Sequence, residues 1–282
     1  MDIREMNEIK EKRGYSFSQL SSYSGVPVVT LQKIFSGKTK NPRRATLDAI
    51  ERVLKGDESV YQGKAFEYGT EGLLDDNGLF DSLKEPGALF GGKKPGEFTI
   101  DDYNKIPEDK RVELIDGVLF EMNSPTLAHQ DIIYIIHSTI AQYIKKNKGK
   151  CKVYSAPADV QLNKDNKTMV VPDVIVVCDR DKIKGFGIYG APDFIAEILS
   201  PSTRYKDLSI KVMKYADAGV REYWIVDPKK KVLIVYNFME EDWTPEIHPL
   251  EGEMPVAIYE GMLKISLDEI AEAIEEYEGL ED

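Results

Sequence analysis

Three carboxylates each interrupt an otherwise apolar, strand-like run. Glu113 sits in VELI, Asp173 follows Pro172 and precedes VIVV, and Glu197 lies between Phe194-Ile195-Ala196 and Ile198-Leu199. A charge in a central strand is costly to bury unless a partner or a metal ion compensates it. Taken singly, each fits a strand-end acid satisfied by a neighbour. Taken together, carboxylates from adjacent strands converge on a point and offer all-oxygen ligation, which suits a hard divalent cation such as Mg2+ or Mn2+. Further along, Asp207, Lys211 and Tyr215 fall at i, i+4 and i+8 of a helix expected over 205–218, opposite a face containing Val212, Met213 and Ala216. An intrahelical ion pair between Asp207 and Lys211 is one alternative for that stripe, and Lys206 and Lys214 are expected to be solvated. His129 in SPTLAHQ and Asp159 in APADV are further candidates. A histidine at a helix start more often caps or packs.

The elements that must position these groups follow from hydrophobic period. RVELIDGVLFEM alternates apolar and polar residues on both sides of Asp116-Gly117, a strong hairpin signal. Ile132, Ile133, Ile136, Ile140, Tyr143 and Ile144 recur at helical spacing between Ala128 and Lys146. Strands are expected at CKVYSAPADVQLN, VVPDVIVVCD and PDFIAEILS. The helix over 205–218 stops at Gly219, and EYWIVD and KVLIVYNF pair across Pro228–Lys230. Tyr223, Trp224 and Tyr236 are expected in the strand core. These patterns predict an α+β domain with a core of its own.

Charge divides the chain. The net charge is −12, yet residues 1–56 carry 11 basic against 6 acidic residues, net +5, whereas 57–98 are net −5, 265–282 net −8, and 99–264 net −4. A basic head on an acidic chain points to a polyanionic partner for the head, or to a solvated helix surface. Residues 57–97 are rich in Gly and Pro and lack a sustained period, as linkers do. The expected domains are 1–56, the linker 57–97, 98–264, and an acidic amphipathic helix at 265–282 that docks by Leu267, Ile270, Ala271, Ile274 and Tyr277. Two cysteines, Cys151 and Cys178, are expected to form neither a disulfide framework nor a four-ligand zinc site, and three histidines are few for His-based metal chemistry. No run of 18 apolar residues exists, so no membrane span is expected. The N-terminus is charged from its second residue, unlike a signal peptide. The expected compartment is the reducing cytoplasm.

In the head, IREMNEIKEKR, FSQLSSYS, PVVTLQKIF and ATLDAIERVL read as four short helices separated by Gly14, Gly25 and Gly37. The string SQLSSYSGVPVVTLQKIFSGKTKNP resembles the Cro-type, phage-repressor-like helix-turn-helix. That resemblance makes 27–35 the recognition helix and DNA the partner. It places Val28, Val29, Gln32 and Lys33 toward base edges and Thr30, Lys38, Lys40, Arg43 and Arg44 nearer phosphates. Two valines can touch only thymine methyls, so base discrimination is expected to be modest.

The strings RVELIDG, VPDVIVV, EILSPST and Asp207-x-x-x-Lys211-x-x-x-Tyr215 before AGVREYWIVDP resemble, over 98–240, the Uma-type restriction endonuclease family of the PD-(D/E)XK superfamily. The implied fold is an all-α helix-turn-helix head plus an α+β, restriction-endonuclease-like domain with a central mixed β-sheet. The superfamily lysine follows the acid by two residues, a position held here by Leu199. The resemblance assigns a shifted lysine, Lys211. It implies Asp173, Glu197 and Glu113 as ligands of Mg2+ (or Mn2+), and hydrolysis of DNA phosphodiesters by a homodimer. A transcriptional regulator, whose nuclease-like domain serves as a sensor or dimerisation module, stays open beside it.

Overall fold

The computed structural model describes residues 1–12, 17, 20, 24, 26, 28–39, 42–55, 93, 96–107, 110–163, 165–200, 203–204, 206–240 and 243–280. The described chain forms two compact units, Met1–Glu121 with Asn166–Thr168, and Met122–Asp165 with Met169–Asp282.

In the first unit, apolar spacing of three and four buries one side of each helix. Helices α1 (Ile3–Lys12), α2 (Val28–Phe35) and α3 (Arg44–Lys55) enclose Met6, Leu31, Ile34, Ile50, Val53 and Leu54, joined by Leu20 and Val26. Most of the expected second helix, with Gln19 and Gly25, and nearly all of the linker 57–97 lie outside the described residues. A short helix α4 (Ile100–Tyr103) precedes the hairpin of β1 (Val112–Ile115) and β2 (Val118–Glu121). The two-residue turn puts both Asp116 (φ 51°) and Gly117 (φ 76°) in the left-handed region, as the Asp-Gly signal requires.

The second unit is built on a six-stranded sheet. Its strands are β3 (Lys152–Ser155), β5 (Val174–Val177), β8 (Phe194–Ile198), β9 (Glu222–Asp227), β10 (Val232–Asn237) and β11 (Glu246–Pro249), in the order β11-β10-β9-β8-β5-β3. All neighbours are antiparallel except β8 and β9, which makes the sheet mixed. The stretch 151–163 does not run on as one strand. Pro157 cannot donate to a ladder, and the chain leaves for a small sheet of β4 (Val160–Gln161), β6 (Ile183–Lys184) and β7 (Gly187–Tyr189). The pair β12 (Glu253–Pro255) and β13 (Lys264–Ser266) closes the set.

One face of the large sheet carries the apolar core. Helix α5 (Leu127–Lys146) inserts Ile132, Ile133, Ile136 and Ile140 against Val174, Val176, Phe194, Ala196, Ile198, Trp224 and Val226. The acidic tail, α7 (Leu267–Glu275), buries Leu267, Ile270 and Ile274 in the same cluster, and Tyr277 donates to Asp131 at 2.7 Å. Alternation along the strands turns Ile195, Glu197, Tyr223, Ile225 and Tyr236 to the other face. There the crossover from β8 to β9 packs, through Tyr215 on Tyr223 with ring centroids 4.8 Å apart. This crossover differs from the expected continuous α-helix. Lys206–Ile210 is a π-helical turn, and only α6 (Lys211–Ala218) is α-helical, ending at Gly219 with φ 91°. The sequence pattern does not separate the two, because both geometries keep Asp207 and Lys211 adjacent. Cys151 and Cys178, too few for a framework, nonetheless meet. The register of β3 on β5 sets them opposite each other, and they are joined in a disulfide of 2.07 Å.

Candidate functional site

Asp173 lies one residue before β5 and Glu197 near the end of β8. The pairing Val174↔Ala196 makes the two cross-strand neighbours at the rim of the sheet. They are tied reciprocally. The Asp173 N–H donates to Glu197 Oε2 at 3.3 Å, and the Ile198 N–H donates to Asp173 Oδ2 at 2.8 Å. Both side chains are buried.

Helix α6 brings the countercharge. Lys211 Nζ donates to Glu197 Oε1 at 2.7 Å and lies 3.1 Å from Asp207 Oδ1, while the Tyr215 hydroxyl donates to the same Glu197 Oε1 at 2.9 Å. Lys211 and Asp207 are 2% and 1% exposed. The polar stripe of this helix therefore faces the sheet. The face expected to pack, Val212, Met213 and Ala216, is only partly inward: Lys211, Val212 and Tyr215 are buried, whereas Met213 and Ala216 are half-buried. The reason is that Glu197, itself turned to this face by strand alternation, provides a partner that no helical wheel shows. Lys206 is also buried rather than solvated, because the π-helical turn shifts its register relative to α6; Lys214 is half-buried. The Tyr223 hydroxyl donates to the Asp207 carbonyl at 3.1 Å. Burial first, and then the charges of Asp207 and Glu197, push its pKa well up, so it stays a donor.

His129 completes the contacts, with Nε2 at 3.2 Å from Asp173 Oδ2. Asp173, Glu197 and Lys211 are thus brought together. Glu113 belongs to the first unit, fully buried in β1 opposite Phe120, and Asp159 precedes β4, its carbonyl accepting the Ile188 N–H at 2.8 Å. Leu199 is buried and its N–H donates to Val226. Sequence marks Tyr215 and Tyr223 only as stripe and core residues; their hydroxyls acquire partners through the pairing of α6 with the sheet.

Among the described residues, no group of three or more His, Cys, Asp or Glu side chains is placed to hold a metal ion by itself. The donor set still fits a small hard cation. Magnesium commonly takes one or two carboxylates and fills its remaining positions with water and substrate phosphate. Asp173 and Glu197 provide two adjacent carboxylates, and Asp173 Oδ1 carries no hydrogen bond among the described residues.

On the helix-turn-helix, Lys33, Lys38, Arg43 and Arg44 are exposed and Thr30 is half-buried. Arg44 Nε donates to Asp48 Oδ1 at 3.1 Å. Val28, Val29 and Gln32 lie in α2, but their side chains, and Lys40 entirely, fall outside the described residues.

Comparison with known proteins agrees with this architecture. Residues 100–267 match the family model Uma2, described as "Putative restriction endonuclease", and residues 6–60 match a helix-turn-helix model. The uncharacterized protein slr1290 of Synechocystis sp. is 26% identical over 161 residues, 56% of this chain and 81% of that protein. The crystal structure of "a putative nuclease belonging to DUF820" from Anabaena variabilis is similar with a TM-score of 0.52 at 22% identity, covering 63% of this chain and 99% of that one. The last likeness is one of fold.

Proposed function

This chain belongs to the Uma2 family, and we propose that it is a metal-dependent endodeoxyribonuclease directed to DNA by its helix-turn-helix. The observation that carries the reading is the position of Lys211. Its ammonium lies 2.7 Å from Glu197, beside the acid whose usual lysine position is filled by Leu199.

In this reading Asp173 and Glu197 hold Mg2+ or Mn2+. A bound divalent ion polarises the scissile phosphate and lowers the pKa of a coordinated water. Lys211 orients the attacking water and sets a fixed positive charge where negative charge develops on the phosphate. Asp207 holds the ammonium from within the same crossover and the Tyr215 hydroxyl holds Glu197, so the lysine and its acid arrive in place rather than being ordered during the reaction. Glu113 is the third acid of the sequence reading, tested by Glu113→Gln. A homodimer, resident in the cytoplasm, is part of the same proposal; light scattering on the intact chain tests the dimer.

A second reading, a transcriptional regulator using this domain as a sensor or dimerisation module, draws on the enclosure of Lys211. An ammonium 2% exposed between two carboxylates also makes a structural tie. One experiment separates the two readings. Plasmid and single-stranded DNA are incubated with the intact protein and Mg2+, with Asp173→Asn as control. Cleavage by the wild type and background by the variant, whose charge is removed at constant volume, supports the nuclease; no cleavage by either leaves the regulator. The head is tested separately. Binding to duplex DNA should weaken steeply with salt. Replacing Lys38, Lys40 and Arg43 should reduce the salt slope by about 1 for each phosphate that is no longer neutralised.

A further inference from the structure

We propose that His129 is a positioning residue of this site, holding Asp173 Oδ2 so that Oδ1 is reserved for the divalent cation. The inference rests on the metal-dependent reading above.

The contacts of Asp173 are divided unequally between its two oxygens. Oδ2 takes the Ile198 N–H at 2.8 Å and stands 3.2 Å from His129 Nε2, whereas Oδ1 takes no donor among the described residues. The Ile198 N–H holds Oδ2, and the imidazole lying against the same oxygen blocks rotation of the carboxylate. The Ile198 amide is fixed in β8. The imidazole is delivered by the first turn of α5, where the Thr126 hydroxyl accepts the His129 N–H at 3.2 Å. The remainder of α5 is anchored through Ile132, Ile133, Ile136 and Ile140.

His129 Nδ1 is buried with no hydrogen-bond partner, and the ring's contact among the described residues is Asp173. A buried, unpaired ring nitrogen carries a cost. The arrangement makes sense if the place of Nε2 beside this carboxylate is what the site requires. Side chains that contact a metal ligand rather than the metal typically change metal affinity by about 10–100-fold when removed.

The test measures binding of Mn2+ alone to the intact chain, reading free Mn2+ by electron paramagnetic resonance, with cleavage measured alongside. His129→Ala is expected to weaken Mn2+ binding by about 10–100-fold. His129→Gln should recover most of the loss, because its amide N–H reaches the place of Nε2. His129→Asn, which is too short, should not. Unfolding midpoints without metal identify any variant that fails to fold, and the Gln and Asn pair then decides alone. Equal Mn2+ affinity in wild type and His129→Ala, or equal behaviour of Gln and Asn, overturns the proposal. If the wild type binds Mn2+ and cleaves while these variants are unaffected, only the role of His129 falls. If the wild type neither binds Mn2+ nor cleaves, the nuclease reading falls with it.

Discussion

Two glutamates are buried at opposite ends of one parallel ladder, and their surroundings differ in kind. Glu222 opens β9 opposite Phe194, while Glu197 lies near the end of β8 opposite Ile225. Neither is exposed by more than 3%. Glu222 is closed by neutral donors, the Trp224 indole N–H at 2.7 Å and the Ile258 amide at 2.9 Å. Burial raises its pKa above the ordinary carboxyl value, against the pull of the Ala257 and Ile258 amides and the Trp224 indole. Glu197 instead meets an ammonium that it shares with Asp207, a phenol, and the backbone of a third acid. A buried acid satisfied by fixed neutral dipoles locks β9 to the segment around Ile258. An acid with shared countercharge and an adjacent carboxylate can exchange one cationic partner for another. The same residue type, at nearly the same burial, is closed by neutral dipoles at one end and by a shared ammonium at the other.

Lys211→Ala presses hardest on this contrast. Removing the ammonium leaves Glu197 and Asp207 buried without it, which should cost about 3–5 kcal/mol in unfolding free energy. Cleavage should fall by about 10²-fold or more if Lys211 stabilises the transition state. Chemical denaturation and single-turnover cleavage measure the two effects separately; reduced stability with an unchanged rate would make the lysine a structural tie only.

Glu222→Gln is the opposite probe. The amide keeps one acceptor but turns an NH2 toward the second of two donors, costing about 1–3 kcal/mol. Mn2+ affinity should not change. A loss of Mn2+ binding in this variant would erase the distinction between the two ends of the ladder.

The smallest effect is one of pH. Because the folded pKa of Glu222 lies above the ordinary value of 4.5, its contribution to stability is fully present below that value and is lost as pH rises through the raised one. The stability advantage of the wild type over Glu222→Gln should therefore shrink as pH rises from the acid range toward neutrality. Thermal unfolding across that range checks the sign, and an advantage that grows with pH would contradict it.

Much of the architecture is legible in local pattern. Asp116-Gly117 specifies a hairpin because both residues tolerate positive φ, and Gly219 stops α6 for the same reason. The tail helix follows from Leu267, Ile270 and Ile274 spaced on one side of an acidic run. Asp173 and Glu197 stand out because each breaks an apolar strand, and cross-strand register makes them neighbours. The direction of α6 is not legible in the hydrophobic pattern, though the family resemblance places Lys211 at the site. Its polar stripe carries Lys211 and Tyr215 inward, against the hydrophobic pattern, since the free energy depends on a carboxylate 14 residues away in sequence. The burial of Lys206 escapes the pattern for a related reason, a π-helical turn that no residue type announces. The contact of His129 with Asp173 joins an α5 residue to the sheet rim and has no signature in spacing.

What the sequence determined by itself is therefore local and periodic: which segments become helices or strands, which strands carry an anomalous charge, and that a basic helical head precedes an acidic α+β domain. These are settled within a few residues by backbone sterics and by the side of each element that must leave water. Tertiary structure decided the pairings. It set Asp173 beside Glu197, turned Lys211 into the sheet, gave the Tyr215 hydroxyl an acceptor, and joined Cys151 to Cys178. Each of these depends on strand register and layer packing, and a buried charge finds its lowest free energy only when a partner from another element arrives.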